Sequence, residues 1–182
     1  AQSFNSKSKE IAKKPNTDVT EVNAKSITRA FEKAELDYSG DVTKVRDIIR
    51  NTFVAPSNTH KSLENEIAKV FEVDRVKYQK ANSDPLGYSG TLNVKLKNDI
   101  FAEIQINSAS MLYGKDLGAR NIIGKDVYDK IRTLSGLEPG LGHKYYKEWR
   151  TLSKDIISQR KRMEELEGLS KAYYDKLRKI GL

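Results

Sequence analysis

The chain has no cysteine and only two histidines, His60 and His143, among its 182 residues. The absence of cysteine excludes disulfide bonds, thiolate nucleophiles and cysteine-ligated zinc. Two histidines are too few for a multi-histidine metal centre, so any bound metal should be a hard cation held by carboxylates and substrate phosphates. Since no apolar run approaches the ~20 residues that span a bilayer, the sequence also argues against a membrane protein.

Positive charge is abundant. Lysine and arginine total 33 against 25 acidic residues, which gives a formal net charge of +8. Such a surplus favours an anionic partner, whether nucleotide, RNA or acidic protein, although excess lysine also keeps proteins soluble. The length fits one domain, and we expect it over residues 19–182. Residues 1–18 are polar and lysine-rich, and we interpret them as a flexible lead-in.

Hydrophobic periodicity predicts helices at both ends of the chain and strands in its middle third. The first helix, Val19 to Leu36, is expected to bury Ile27, Phe31 and Ala34, and a hairpin is expected about Asn98-Asp99. The predicted helices cover residues 19–36, 41–50, 57–71, 111–119, 128–134, 143–163 and 166–180, and the predicted strands cover 51–54, 74–78, 92–96 and 100–106. This order predicts an α+β fold, within the broad α/β class, with a small mixed sheet and helices packed mainly on one face.

The common nucleotide-binding and hydrolase motifs are absent. The glycines at 136, 140 and 142 satisfy neither the P-loop pattern nor GxGxxG. The sequence also contains no GxSxG elbow and no HExxH helix. Any nucleotide chemistry must therefore use a different arrangement of residues.

The predicted strand Ile100 to Ile106 has two different faces. Side chains alternate across a strand, so Glu103, Gln105 and Asn107 line one side while the apolar residues at 102, 104 and 106 line the other. An antiparallel strand commonly shows this pattern when its polar face meets water. The same pattern also suits the floor of an active site, and both interpretations stay open.

Two further features bear on a phosphate site. Lys25, Arg29 and Lys33 recur every four residues and line one helix face, which fits either a triphosphate site or a solvated surface. Asp47 and Glu103 are carboxylates that a divalent cation would hold together if the fold brings them close. Two acids beside a basic row suit phosphoryl transfer assisted by Mg²⁺.

The order of these parts resembles the synthetase domain of the RelA/SpoT alarmone synthetase family, over about residues 20–150. The quoted runs that carry the resemblance are KSITRAFEK (25–33), DYSGDVTKVRDIIRNTFV (37–54), GYSG (87–90), EIQIN (103–107) and GHKYYKEWR (142–150). Their variants are closest to the toxin and effector branch of the family. The resemblance implies a nucleotidyltransferase-like fold and a pyrophosphokinase that moves the β,γ-diphosphate of ATP to the 3′-hydroxyl of a purine nucleotide and releases AMP.

The resemblance also implies roles for individual residues. Asp47 and Glu103 would ligate Mg²⁺, and Glu103 would also orient or deprotonate the 3′-hydroxyl. Tyr88 would stack on the acceptor base. Gln105 would support the Glu103 strand. The residues implied on the phosphate side are Lys25, Arg29, Lys33 and Arg50, with His143 and Arg150 on the helix that closes it.

Three positions depart from the family pattern. Ser89 stands where many members have arginine after the GY pair, and Leu92 stands where alarmone synthetases have histidine. Arg50 lies closer to Asp47 than the usual spacing. Contacts to the acceptor phosphates must therefore come from other residues, and the identity of the acceptor stays open between guanine and adenine.

Three functions remain open from the sequence. The first is a toxin that makes (p)ppGpp-like or (p)ppApp-like nucleotides, acts in the cytoplasm of its own or a target cell, and is neutralised by an acidic immunity protein. The second is an enzyme that places the same diphosphate on the 3′-terminal adenosine of tRNA, assisted by the positive charge. The third is a non-catalytic basic module that binds nucleic acid through Tyr88 and neighbouring aromatic residues.

Overall fold

The computed structural model of the chain describes residues 2–77, 82, 84–88, 91–95 and 101–182. The chain forms two compact units, which we name the sheet unit (residues 1–78 and 90–106) and the helical unit (residues 79–89 and 107–182). The single domain over residues 19–182 stays a prediction, and the predicted turn at Asn98-Asp99 lies outside the described residues.

A six-stranded sheet forms the first unit, in the order β1-β3-β6-β5-β4, with β2 also pairing with β3. The strand pairs with a described register are antiparallel: β1 with β3, β2 with β3, β4 with β5, and β5 with β6. The elements of the sheet unit are α1 (Gln2–Ile11), β1 (Asp18–Val19), β2 (Asn23–Ala24), α2 (Ile27–Tyr38), β3 (Ile49–Val54), α3 (His60–Val70), β4 (Glu72–Lys77), β5 (Thr91–Lys95) and β6 (Phe101–Asn107). The predicted α+β fold and the β5–β6 hairpin are confirmed.

The apolar side of β6 faces the core of the sheet unit. Ala102, Ile104 and Ile106 are buried there together with Phe53 of β3, as the alternating pattern predicts. The core is completed by side chains from α1 and α3, namely Phe4, Ile11, Leu63 and Ile67. Removing these apolar surfaces from water stabilises the unit and fixes the opposite, polar side of β6, which carries Glu103 and Gln105.

The segment predicted as a flexible lead-in differs from that prediction. Residues 2–11 form α1, in which Phe4 and Ile11 are buried. The Phe4 ring lies 5.4 Å from the Phe71 ring. Because the spacing from Phe4 to Ile11 puts both side chains on one helix face, two apolar residues suffice to dock an otherwise polar helix.

The predicted first helix is too long at its beginning. Asp18 pairs with Val54 and Asn23 with Arg50, so the chain before α2 is extended along β3. The helix begins at Ile27 because the Ser26 side chain caps it, accepting a hydrogen bond from the Arg29 amide. The predicted helix over residues 41–50 is also wrong, since only a 3-10 turn forms at Val42–Lys44 before β3.

The predicted buried face of that helix is partly wrong as well. Ala34 is buried as expected, with Ala30 beside it, whereas Ile27 and Phe31 are 77% and 54% exposed. The helix turns its alanine side inward. Ala30 and Ala34 lie four residues apart on one helix face, so the same spacing rule that selected the larger side chains also allows this orientation.

The helical unit consists of five helices within its described residues. They are α4 (Ala109–Lys115), α5 (Ala119–Ile123), α6 (Lys125–Ser135), α7 (Leu141–Trp149) and α8 (Ile157–Arg178). Its core is rich in tyrosine and includes Tyr113, Tyr173 and Tyr174. Throughout the described part of the chain, no helix combines the length and the apolar character needed to cross a membrane.

The break between the last two helices lies earlier than predicted. The sequence predicts helices over 143–163 and 166–180, but the chain leaves α7 at Trp149 and begins α8 at Ile157. The connecting loop is held by side chains of α8: Gln159 accepts a hydrogen bond from the Ser153 amide, and Arg160 donates one to the Lys154 carbonyl. These bonds satisfy backbone groups that a continuous helix would have satisfied internally.

Candidate active site

Asp47 lies at the centre of a charged cluster in the sheet unit, two residues before β3. Both of its carboxylate oxygens accept a hydrogen bond from a lysine: Lys25 Nζ lies 2.7 Å from Oδ2, and Lys33 Nζ lies 3.0 Å from Oδ1. The side chain of Asp47 is only 15% exposed. We call Lys25, Lys33 and Asp47 the lysine-aspartate cluster.

The cluster keeps Asp47 ionised. Partial burial acts to raise the pKa of Asp47, but the hydrogen bonds and charges of Lys25 and Lys33 outweigh burial and lower it. Burial likewise acts to lower the pKa of Lys33, and the hydrogen bond to Asp47 raises it instead. The cluster is therefore a stable arrangement of two cations and one anion, with one positive charge in excess.

The three basic residues Lys25, Arg29 and Lys33 do not all lie on one helix, because α2 begins after Lys25. Lys25 precedes the cap residue Ser26, and its amide donates a hydrogen bond to the Ile48 carbonyl, next to Asp47. Lys33 reaches the same carboxylate from α2, whereas Arg29 is exposed. The prediction of three cations along one helix face is thus corrected: two of them converge on Asp47. Arg50 lies exposed on β3.

Arg46, the residue before Asp47, is held by contacts with β4 and β6. Arg46 forms an ion pair with Asp74 of β4, and its guanidinium lies over the Phe101 ring of β6 at 4.4 Å from the centroid. Val45 is buried. Because its two preceding side chains are both anchored, the backbone of Asp47 is held against the sheet.

Glu103 and Gln105 lie together on the polar side of β6, the neighbour of β3 in the sheet. Gln105 Nε2 donates a hydrogen bond to Glu103 Oε1 over 2.5 Å, and the supporting role of Gln105 in the reaction stays a prediction. Both residues are partly buried. A side chain held in place by its neighbour fits a functional position better than a freely solvated face.

The carboxylates of the sheet unit suit a metal that arrives with its substrate. Within residues 2–77, 82, 84–88, 91–95 and 101–182, no group of three acidic or histidine side chains could enclose a metal ion. Mg²⁺ commonly uses one or two carboxylates and completes its shell with water and substrate phosphates. Asp47 and Glu103 are carboxylates of this kind, and their joint role as metal ligands stays a prediction.

Tyr88 lies in the helical unit, where its hydroxyl takes part in two hydrogen bonds. It donates to Asn107 Oδ1 over 2.6 Å and accepts from Lys115 Nζ over 2.8 Å. Asn107 ends β6, and Lys115 ends α4. We call Tyr88, Asn107 and Lys115 the tyrosine network.

The backbone around Tyr88 is anchored by α8. Ser170 Oγ donates to the Leu86 carbonyl over 2.8 Å, and Arg178 donates to the Gly87 carbonyl over 2.7 Å. Asp84 accepts a hydrogen bond from the Tyr88 amide. Gly87 has a φ of +76°, in the left-handed region that favours glycine. Tyr88 is thereby held through its backbone as well as its hydroxyl.

His143 and Arg150 lie at opposite ends of α7. His143 is exposed in the first turn, with its ring 6.3 Å from the Tyr146 ring. Arg150 follows the last helical residue, and its guanidinium lies over the same tyrosine at 5.5 Å. Their assignment to the phosphate side stays a prediction.

The sequence contains no signal for the contact of Lys115 with Tyr88 or for the pairing of Lys25 and Lys33 with Asp47. Asn107 was visible as the third member of the polar row on β6, but nothing separated it from Glu103 and Gln105. In the structure it is 1% exposed, unlike the other two. Ser89, one of the family departures, lies outside the described residues.

Comparison with known proteins identifies similar chains. The chain is 35% identical to one in the crystal structure of the Type VI effector Tas1 with its immunity protein; the match covers 98% of this chain and 90% of that one, with a TM-score of 0.86. It is 38% identical over 174 residues to the (p)ppApp synthetase toxin Tas1 of Pseudomonas aeruginosa (strain UCBPP-PA14), covering 93% of this chain. It spans 38% of that relative's length.

More distant structures share the fold. The small alarmone synthetase 2 of Bacillus subtilis is 17% identical, with a TM-score of 0.57 and a match over 99% of this chain and 90% of that one. A GTP pyrophosphokinase family protein from Streptococcus pneumoniae is 16% identical, with a TM-score of 0.55 and a match over 98% and 86% of the two chains. No protein-family model matches the chain.

Proposed function

Because the chain belongs to the RelA/SpoT family of alarmone synthetases, in its toxin branch, we propose that it is a Mg²⁺-dependent pyrophosphokinase. It moves the β,γ-diphosphate of ATP to the 3′-hydroxyl of a purine nucleotide. The lysine-aspartate cluster carries this proposal, since it combines two cations suited to phosphates and a carboxylate suited to a metal ion, next to β3.

The reaction is a displacement at the β-phosphorus of ATP. The 3′-oxygen of the acceptor forms a bond to that phosphorus, the bond from the phosphorus to the α,β-bridging oxygen breaks, and AMP leaves with that oxygen. Glu103 accepts the proton of the 3′-hydroxyl, and its hydrogen bond from Gln105 fixes the carboxylate in position for that task. The protein otherwise contributes orientation and charge.

The ATP phosphates meet the cations of the sheet unit. Lys25 and Lys33 form ion pairs with Asp47, and the exposed side chains of Arg29 and Arg50 add two positive charges. A triphosphate offers the two lysines more negative charge than one carboxylate does. We therefore expect ATP to draw Lys25 and Lys33 away from Asp47 and to release its oxygens.

Mg²⁺ is expected to bind to the released oxygens. Asp47 and Glu103 would hold the ion, and the phosphates of ATP would supply further ligands. Bound there, the ion neutralises charge that develops on the transferred phosphates. In this arrangement the ion would take the place of Lys25 and Lys33 as the partner of Asp47.

Tyr88 provides a surface for the acceptor base, and His143 and Arg150 are assigned to the phosphate side. Aromatic rings stack on all bases and so give affinity more than selectivity. Since the relative Tas1 is named a (p)ppApp synthetase, we take adenine nucleotides as the first acceptors of this chain. Guanine nucleotides are the next ones to test.

The biological role follows from the same relative. Tas1 is described as a Type VI effector in complex with its immunity protein. We propose that this chain inhibits growth in the cytoplasm of a target cell by consuming its adenine nucleotides, and that the producing cell carries a neutralising protein. With a net charge of +8, the chain would associate fastest with an acidic partner.

One experiment separates the open functions. The protein is incubated with labelled ATP, Mg²⁺ and, in turn, AMP, ADP, ATP, GDP, GTP or tRNA, and the products are resolved. Labelled 3′-diphosphate nucleotides and an equal amount of AMP are expected with the adenine acceptors. Label found only on tRNA would show that tRNA, and not a free nucleotide, is the acceptor. Binding of nucleic acid without turnover of ATP would show that the chain is a non-catalytic binding module.

A further inference from the structure

We propose that Lys115 and Asn107 are positioning residues that fix the ring of Tyr88 for the acceptor base. This inference rests on the proposed function, because it assigns a purpose to the tyrosine network within that reaction. The three side chains come from three places in the helical unit: the loop over residues 84–88, the end of β6 and the end of α4. Their meeting at one hydroxyl therefore depends on the tertiary structure of that unit.

The hydroxyl of Tyr88 is held from two directions. Lys115 Nζ donates to it over 2.8 Å, and the hydroxyl donates in turn to Asn107 Oδ1 over 2.6 Å. Because the hydroxyl donates to one side chain and accepts from the other, its position is fixed, and with it the direction of the ring axis. Hydrogen bonds that involve a charged donor are the stronger kind.

Lys115 lies beside the hydroxyl, not above the middle of the ring. Its Nζ is 2.8 Å from the oxygen but 4.6 Å from the ring centroid. An ammonium above the centre of the ring would be nearer to the centroid than to the oxygen. The lysine thus holds the hydroxyl end of the ring.

The buried position of Asn107 costs folding free energy. Asn107 is 1% exposed, and among the residues that the structure describes its Nδ2 finds no hydrogen-bond acceptor. A buried donor without an acceptor destabilises the fold, so an apolar side chain would suit packing alone. The bond from Tyr88 to Oδ1 is the purpose that the structure shows for this asparagine.

The positioning role differs from direct contact with the acceptor. A lysine that acts through Tyr88 loses its effect once the hydroxyl is gone. A lysine that binds acceptor phosphates keeps its effect, and that effect grows from AMP to ATP as acceptor. The pair Lys115→Met and Tyr88→Phe distinguishes these two cases, because phenylalanine preserves the stacking ring and removes only the hydroxyl.

The test measures kcat and the acceptor KM for wild type, Lys115→Met, Tyr88→Phe and the double variant, with Lys130→Met on the exposed side of α6 as control. We expect Lys115→Met to raise the acceptor KM by about fivefold, a part of what a stacked base contributes. The kcat and the thermal midpoint should stay near wild type. The double variant should match Tyr88→Phe, and Lys130→Met should match wild type.

Each other outcome overturns the inference. Multiplicative effects in the double variant, or an effect that rises with acceptor phosphate number, would make Lys115 a direct ligand. An unchanged acceptor KM in Lys115→Met would show that Lys115 has no role in binding the acceptor. An inactive wild type would overturn the proposed function and this role together, whereas an active wild type with a silent Lys115→Met overturns the positioning role alone.

Discussion

Two regions with predicted functional residues, one in each unit, are held by different interactions. In the sheet unit, Asp47 is held by full charges on Lys25 and Lys33. In the helical unit, Tyr88 is held by hydrogen bonds at its hydroxyl, and α8 holds the backbone of the preceding residue, Gly87. We expect phosphates or a metal ion to replace the partners of Asp47 in the first region, and we expect a base to stack on Tyr88 in the second while its hydroxyl keeps its partners.

We propose that the charged region serves the reaction and that the aromatic region serves recognition of the acceptor. In this proposal the charged region exchanges its internal ion pairs for the ATP phosphates and Mg²⁺, and the aromatic region contributes affinity for the acceptor. Variants in the first region should therefore affect turnover and ATP, and variants in the second should affect the acceptor.

The largest effect is expected for Glu103→Gln. The change keeps size and strand fit but removes the charge that accepts the proton, so kcat should fall by more than about a hundredfold, roughly 3 kcal/mol or more. The measurement is steady-state turnover of ATP with saturating acceptor. If a folded Glu103→Gln protein turns over ATP at the wild-type rate, the polar side of β6 is only a solvated surface. That result would contradict the pyrophosphokinase function.

Tyr88→Ala should show the opposite kinetic signature. Loss of the stacking ring should raise the acceptor KM by the equivalent of about 1 to 3 kcal/mol and leave the ATP KM near wild type. Tyr88→Phe serves as the matched variant because it keeps the ring. If Tyr88→Ala lowers kcat and leaves the acceptor KM unchanged, the division between chemistry and recognition is wrong.

Lys25→Met and Lys33→Met test the charged region from its cationic side. Each should raise the ATP KM by about tenfold, because a charge-assisted phosphate contact is lost. Arg29→Met should raise it less, and its exposed position should keep the change in stability within about 0.5 kcal/mol. An unchanged ATP KM in a folded Lys25→Met, Lys33→Met double variant would show that the lysines serve only to pair with Asp47.

The smallest effect concerns stability against pH. The pKa of Asp47 is lowered in the folded chain, so its ionised form adds stability above the unfolded value of about 3.9 and loses that contribution as the pH falls through the folded pKa. Asp47→Asn should therefore be less stable than wild type by about 1 kcal/mol at pH 7. Urea unfolding at pH 7 and at a pH below the folded pKa should show the gap closing in acid, and a gap that persists there would mean that the ion pairs do not cause it.

Sequence patterns predict the local structure of this chain better than its tertiary contacts. The alternation on β6 correctly predicted which side is buried, because a strand has only two faces. Glu103 and Gln105 could be selected from that pattern together with the family resemblance. The helix predicted over residues 57–71 is found as α3 over His60–Val70, with Leu63 and Ile67 buried as their spacing predicts and Val70 39% exposed.

Contacts between distant segments could not be predicted in this way. Asp47 and Lys25 lie 22 residues apart, and Tyr88 and Lys115 lie 27 apart, with no periodicity to connect them. The exposed Phe31 shows the same limit, because α2 had two possible inward faces and tertiary contacts selected the alanine side. Phe4 and Ile11 were missed because two apolar residues in a lysine-rich segment give a weak signal.

The central claim is that two phosphates move together from ATP to a 3′-hydroxyl, and positional labelling tests it most directly. The protein is incubated briefly with Mg²⁺, with ATP that carries the label on either its α- or its γ-phosphorus, and with unlabelled AMP in large excess, so that neither labelled ATP nor the released AMP serves as acceptor. The account predicts that γ-label appears in the 3′-diphosphate product while α-label appears only in AMP, in equal amounts. Labelled ADP from the α-labelled ATP, with γ-label transferred alone or released as phosphate, would contradict it.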